Sequence, residues 1–380
     1  MAELLIAAGP GEWRAAWIED GEARELYVER GDTKVAGSRH LGRITQIVPA
    51  LDAALVDIGD ERPGFLPLRD MPDGAKAEEG ARIVVEVCRE AWQHKAPRLT
   101  AKLAEPPSLP ARADPPAQLF PPPGLAAALA VRLPGRPEQV IADDTAILIE
   151  LRSAFRRIDI EHRPANDWPV DLDALFDTAL SPSLALPQGG VVHIEETRTA
   201  TMIDVDTGTP ASGSSARAAL AANRAAAQLI ARELRRRAIG GAVVIDFVGL
   251  DRRDHREQLH RAFETALAVD PAKPQLLGWT RLGHLELMRP RRGRSLADAM
   301  LESGSRAKQP VALAHEALRR VMREARANPA ATWRLRVSPA LEAALRGPAK
   351  DALRALETRL GRPITIEITA GRESFDIAPV

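Results

Sequence analysis

Two carboxylates, Asp204 and Asp206, stand two positions apart in TMIDVDTG (201–208), inside a run that otherwise reads as a strand. Side chains alternate faces along a strand, so these two point the same way. Like charges held side by side call for a positive partner, and a metal ion is the first candidate. A third carboxylate, Asp246, closes another strand-like run, AVVIDF (242–247). Between them lies SSARAALAANRAAAQLIARELRRRA (214–238), rich in the strong helix formers Ala and Arg, with apolar residues at helical spacing. The IGG that follows stops the helix, as glycine past a C-terminus does. A strand–helix–strand unit crosses over right-handed and lays its strands parallel in one sheet. Functional groups of open α/β sheets gather at the carboxyl ends of the strands. Asp204, Asp206 and Asp246 can then converge on one hard cation. Mg²⁺ suits such a place, because it takes oxygen ligands and often only one or two carboxylates beside water and phosphate. The ion would lower the pKa of a bound water and stabilise charge on a phosphodiester in displacement. A plainer reading stands beside this one: a strand-terminal aspartate commonly caps a turn or helix.

The elements that must position these groups are legible along the chain. Residues 1–30 alternate apolar and polar and predict a short β-meander. From 35 to 103 short β-rich runs (RITQIV, AALVDIG, GFLPL, ARIVVEVC, RLTAKL) are separated by glycines and charged turns, as in a small barrel. Residues 105–124 are Pro-rich and predict a stiff linker or surface loop, neither helix nor central strand. Helices are expected at 124–131 and 144–153 with the strand EQVIADD between them; the run DALFDTALSP then leads to a turn at QGG and the strand GGVVHIEE. Past AVVIDF come an amphipathic helix, RDHREQLHRAFETALAVD, and β structure in QLLGWTRLGHLELMR. The tail predicts helices at 310–327 and 338–359 and closing strands TWRLRV and ITIEI.

Composition narrows the classes. The chain has 380 residues and 45% hydrophobic content, enough for more than one packed core, and no run of 18 apolar residues to span a membrane. The N-terminus lacks the basic n-region of a signal peptide, so a cytoplasmic location is the default. A single cysteine, Cys88, excludes an internal disulfide framework and a thiolate-rich zinc site within one chain. The 52 basic and 52 acidic residues cancel, but basic side chains bunch at 232–237, 251–256 and 289–294. Each bunch reads first as a solvated surface, although all three lie downstream of TMIDVDTG. No local motif supports Ser-His-Asp or Cys-His catalysis, and His193 and His284 read as structural.

The runs TMIDVDTG, ANRAAAQLIARELRRRAIGG, VVIDF and RLGHLELMR resemble, in order and spacing, the core of the ribonuclease E/G family. HLGRITQIVPALDAALVDIGDERPGFLPLRD and KAPRLTAKL are similar to its RNA-binding segments, whereas the tail matches more weakly. The resemblance implies an α/β and β fold. An OB-fold RNA-binding barrel (33–104) is inserted in an RNase H-like subdomain (1–32 and 125–186). A DNase I-like α/β catalytic domain (187–298) and a small α+β C-terminal domain (299–380) follow. It implies an endoribonuclease that cuts single-stranded RNA, such as mRNA or rRNA precursors, with Mg²⁺ as cofactor and Mn²⁺ able to substitute. Asp204 and Asp246 take the places of the metal-holding catalytic aspartates, and Asp206 that of an asparagine beside the first. Phe65, Lys95 and Arg98 take the places of RNA-binding residues.

The chain also departs from the family pattern. Leu55 stands where a second aromatic is usual, and Arg198 at an acidic position. The long middle section with the R-T-A motif that senses a 5′-monophosphate is missing, and 105–124 stands where it would begin. The paired cysteines of the family's zinc link are absent after RPRRGRSL, so no zinc is expected and a homodimer would need other contacts. An RNA-binding protein of the same fold with weak or no nuclease activity is the alternative.

Overall fold

A computed structural model of the chain describes residues 1–30, 36–60, 62–89, 91, 96–103, 113–121, 124–187, 189–207, 216–250, 252–302, 304–369 and 374–380. Lys95, Gly208, the start expected for the long helix, and residues 105–112, 122 and 123 of the Pro-rich stretch lie outside these. The described chain divides into two compact units, one of residues 1–29, 133–152 and 156–380, the other of residues 30–132 and 153–155.

In the smaller unit, five strands close on themselves. The ring runs Arg39–Val48, Ala53–Asp57, Gly64–Pro67, Arg98–Thr100, Arg82–Arg89 and back to Arg39–Val48. Closure leaves no open edge among the five and encloses a core of Ile44, Val56, Leu66, Val85 and Leu99. This closed barrel is consistent with the expected OB-like fold. The Pro-rich stretch is more than a linker: Ala117–Phe120 pairs onto Arg39–Leu41 as an added strand. Proline bars a central strand but tolerates an edge, so the composition permitted this pairing without announcing it.

The larger unit contains three sheets. The first runs in the order Asp159–His162, Gln139–Ala142, Ala2–Gly9, Glu12–Glu19, Glu22–Arg30. Ala2–Gly9 is antiparallel to Glu12–Glu19 and parallel to Gln139–Ala142. One face packs Leu5 and Ile18 against Trp168, Leu172 and Phe176, the last two on the helix Leu172–Leu180. The second sheet has six strands, in the order Ser183–Ala185, Val191–Glu196, Ala200–Asp206, Gly241–Asp246, Leu285–Arg289, Gln275–Trp279. The helices Ala216–Arg236 and Arg253–Leu267 bury one of its faces, where Ile203, Val205, Val243 and Ile245 meet Ala226, Ile230 and Phe263. The third sheet orders Thr365–Ile368, Trp333–Val337 and Asp376–Pro379, and shares a core with the helix Pro310–Ala327. The final strand was not anticipated. The single helix expected over 338–359 is two, Pro339–Arg346 and Lys350–Leu360. Gly347 and Pro348 lie between them. Proline supplies no N–H and disfavours helical backbone in the residue before it, so the break was written in the sequence.

The basic run 232–237 is not a solvated surface. Arg235 donates through Nε to Glu25 Oε1 and through Nη2 to Glu19 Oε1, each at 2.8 Å. Arg236 donates to the Ala23 carbonyl at 3.1 Å. Arg237 bonds Glu233 at 3.0 Å and the Ser181 carbonyl at 2.7 Å. The end of the long helix is thereby fastened to the strands Glu12–Glu19 and Glu22–Arg30. In the next run, Arg252, Arg253 and Asp254 are exposed, with Arg252 paired to Asp254 and Arg253 to Glu257, whereas His255 is buried. In the run 289–294, Arg289 is buried against Asp270.

Candidate active site

The alternation of the strand Ala200–Asp206 decides what faces outward. Thr201, Ile203 and Val205 turn under the helices, whereas Met202, Asp204 and Asp206 are exposed on the open face. The same holds for Gly241–Asp246, where Val243 and Ile245 are buried and Asp246 is exposed. The two strands are parallel neighbours, and their register sets Asp204 directly beside Asp246. Neighbouring strands lie about 4.8 Å apart, so the two carboxylates issue from adjacent backbones within reach of one ion. Register extends this row on the other side: His193 is opposite Asp204, and Ser183 opposite His193. Ser183 Oγ and His193 Nδ1 share a hydrogen bond of 2.9 Å.

His284 enters from a hairpin. Thr280 N donates to the His284 carbonyl at 2.8 Å, and Gly283 N to the Thr280 carbonyl at 3.1 Å. Gly283 has φ +93°, a left-handed conformation that side chains resist and that RLGH supplies at this turn. The hairpin sets His284 Nε2 3.8 Å from Asp246 Oδ2. His193, His284, Asp204 and Asp246 line one cavity of about 470 Å³, together with Glu195, Met202, Ile203 and Val244. Neither histidine was marked by a sequence motif. The strand register puts His193 beside the aspartates and the hairpin turn puts His284 there.

Asp206 shares the face of Asp204 but is opposite Val191, beyond the last pairing with the neighbouring parallel strand, and is not in the cavity lining. Its strand end is tightly approached. A Cβ on Gly190, which has φ +96°, would stand 2.4 Å from the Asp206 carbonyl oxygen, so glycine is required where that strand pairing begins.

Among the described residues, no group of three or more His, Cys, Asp and Glu side chains is arranged to hold an ion. Two carboxylates from adjacent strands nevertheless fit a hard cation that completes its shell with water and substrate oxygens. Behind the site, the fully buried Asn223 clamps the chain just past Asp246. Its Nδ2 donates to the Val248 carbonyl at 2.7 Å, and Val248 N donates to its Oδ1 at 3.2 Å. Sequence reading assigned it no task. Asn223→Ala should lower the turnover of any reaction at Asp246 indirectly, by loosening the backbone two residues past it. It should also cost about 1–3 kcal/mol of stability, for the backbone groups left unpaired. Steady-state kinetics with a urea titration would measure both. Unchanged turnover would remove Asn223 from the site's support.

In the barrel, Phe65 is the register partner of both Leu55 and Arg98. Phe65 is half-buried, and Arg98 is ion-paired to Asp70 at 3.1 Å. Sequence-predicted Phe65 and Arg98 are thus brought together, with Leu55 completing the row. Arg198 is exposed in the turn before Ala200.

A family model described as the Ribonuclease E/G family matches residues 140–292, a span that contains all three aspartates. Ribonuclease G of Salmonella typhimurium is 24% identical, with 99% of each chain covered. That alignment runs over 493 positions, so it includes stretches of the relative that have no counterpart in these 380 residues. Ribonuclease E of Synechocystis sp. is 27% identical over 78% of this chain, and that of Nostoc sp. 26% over the same share. The chain spans 58% and 57% of the lengths of those two relatives. No described helix is long and apolar enough to cross a membrane.

Proposed function

This chain belongs to the ribonuclease E/G family, and on that premise we propose that it is a metal-dependent endoribonuclease cutting single-stranded RNA, in RNA processing or decay in the cytoplasm. One observation carries the reading: Asp204 and Asp246 are side by side at the ends of parallel strands, on the sheet face that no described helix covers. When bound, a divalent ion, Mg²⁺ or Mn²⁺, would supply a water of lowered pKa and neutralise charge on the phosphodiester. Asp204 and Asp246 would hold that ion and fix where the phosphate must lie. His284 would buttress the Asp246 carboxylate, and His193, held by Ser183, would bound the cavity on the other side. Asp206 would add negative potential one step along the strand without ligating. We read the first sheet, with its three N-terminal strands followed by two parallel ones, as RNase H-like. The six-stranded sheet with helices on one face is read as the DNase I-like catalytic domain.

In the barrel, Phe65 would stack on a base, a contact that contributes about 1–3 kcal/mol and tolerates any sequence. Arg98 and Lys95 would meet phosphate, a salt-sensitive contribution. Residues 105–124 replace the sensor region of the longer relatives, and we expect cleavage that does not depend on a 5′-monophosphate. Matched substrates with 5′-monophosphate and 5′-hydroxyl ends should be cut at comparable rates; a large preference for the former would refute this.

The second reading, an RNA binder without catalysis, draws on Asp206 in place of asparagine. A labelled single-stranded RNA incubated with Mg²⁺ and then with EDTA separates the two. Cleavage with Mg²⁺ that stops with EDTA supports the nuclease; binding without cleavage in either favours the binder.

A further inference from the structure

We propose that the open sheet face beside the aspartates is a nucleobase subsite that selects a base carrying an exocyclic amino group, guanine foremost, over uracil. This rests on the nuclease reading only for where the RNA phosphate lies. The site itself is built by the pairing register. Glu195 is opposite Met202, and Met202 is beside Val244. This row runs parallel to the row of His193, Asp204 and Asp246, two residues away along each strand. At about 3.3 Å per residue the rows are about 6.6 Å apart. A nucleotide whose phosphate meets the aspartates can therefore lay its base over the second row.

The chemistry of that row suits a base. Met202 is 43% exposed, and its polarizable thioether makes favourable contacts with flat aromatic rings. Val244 continues the apolar floor. Glu195 stands exposed at the edge of this floor and, like Met202 and Val244, lines the same cavity. A carboxylate accepts but cannot donate, and its two oxygens match two parallel N–H donors. Guanine presents that pair at N1 and N2. Cytosine and adenine offer donors from one amino group. Uracil offers a single ring N–H between two carbonyl oxygens that the carboxylate repels. The order expected is guanine first, cytosine and adenine next, uracil last, with about tenfold between the extremes, as for other bidentate base contacts.

The test uses the full chain in Mg²⁺ buffer and the four nucleoside 5′-monophosphates as probes. Binding is followed through ¹³C-methyl methionine signals, with the Met202 resonance identified from Met202→Leu. GMP should shift the Met202 signal at about a tenth of the concentration UMP needs. Glu195→Gln should raise affinity for UMP and lower it for GMP, because an amide can donate to a uracil oxygen while accepting its N–H. That inversion is a result a merely structural Glu195 would not give. No shift at Met202 with any nucleotide, or UMP binding as tightly as GMP, would overturn the subsite. Failure to cleave RNA while this preference holds would sink the nuclease reading alone, and cleavage without the preference would sink the subsite alone.

Discussion

Replacing Asp246 with asparagine should reduce RNA cleavage at least about a thousand-fold, equivalent to about 4 kcal/mol of lost transition-state stabilisation, while leaving RNA binding and folding close to unchanged. The size follows from the site's economy. Among the described residues no third carboxylate, histidine or cysteine joins Asp204 and Asp246 in a ready-made ligand set. Losing one of two carboxylates therefore removes half of the fixed negative charge that would hold the ion. Asparagine keeps the shape and one oxygen, so the backbone pairing of the strands Ala200–Asp206 and Gly241–Asp246 should persist. Both side chains are exposed, so the substitutions should leave folding stability within about 0.5 kcal/mol. Asp204→Asn should behave in the same way, and the double variant little worse than either single one, because groups that act as a unit are not additive. Asp206→Asn restores the residue usual in the family and should retain activity. Single-turnover cleavage of a labelled oligonucleotide, with binding measured separately, checks all four. Cleavage that survives both single substitutions would show that the reaction happens elsewhere.

Behind the same sheet, a buried ion pair holds the strands to their helices. Asp270→Ala should cost about 3–5 kcal/mol, the range for orphaning one member of a buried ion pair. Arg289 and Asp270 are nearly inaccessible, at 3% and 4%. The guanidinium meets the carboxylate through two bonds, Nε to Oδ2 at 2.7 Å and Nη2 to Oδ1 at 3.2 Å. A third donor, Nη1, reaches the Ile239 carbonyl at 2.8 Å, just past the long helix. Asp270 follows the second helix and also accepts from Ala272 N at 2.8 Å. The pair therefore joins the strand Leu285–Arg289 to the ends of both helices that cover the sheet. Without Asp270 the guanidinium stays buried and uncompensated. Replacing both members with apolar residues of similar volume should cost much less, since desolvation of the charges is then avoided. Urea denaturation of the single and double variants distinguishes these outcomes. A loss below about 1 kcal/mol for Asp270→Ala, the scale of a surface pair, would show that the pair does not hold the sheet and helices together.

How much of this was written in the sequence varies with the range of the interaction. The strand–helix–strand unit was legible because its signals are local: alternation in TMIDVD, helical spacing across an alanine-rich run, and glycines at the stop. The crossover rule put Asp204 and Asp246 in one parallel sheet and left adjacency open; the structure makes their strands neighbours and pairs the two residues directly. The barrel strands were legible for the same reason. What could not be read depended on distant partners. The run RELRRR looks like a solvated surface until Glu19 and Glu25, more than 200 residues earlier, are seen to neutralise Arg235. His193 and His284 read as ordinary core or surface histidines until strand register and a hairpin turn set them around the aspartates. Asn223 is one polar residue in a helix until its two bonds to Val248 are seen. The split of the last helix at Gly347 and Pro348 is different, since a local signal was present and the apolar periodicity on either side of it was followed instead.

On the proposed reading, one divalent ion sits between Asp204 and Asp246. Crystals soaked in Mn²⁺ and measured at the manganese absorption edge test it most directly. One anomalous peak should appear at direct-ligand distance, about 2 Å, from a carboxylate oxygen of each aspartate, and it should vanish in Asp246→Asn. Saturating Mn²⁺ with no peak between the two strand ends, or a peak that touches neither carboxylate, would contradict it.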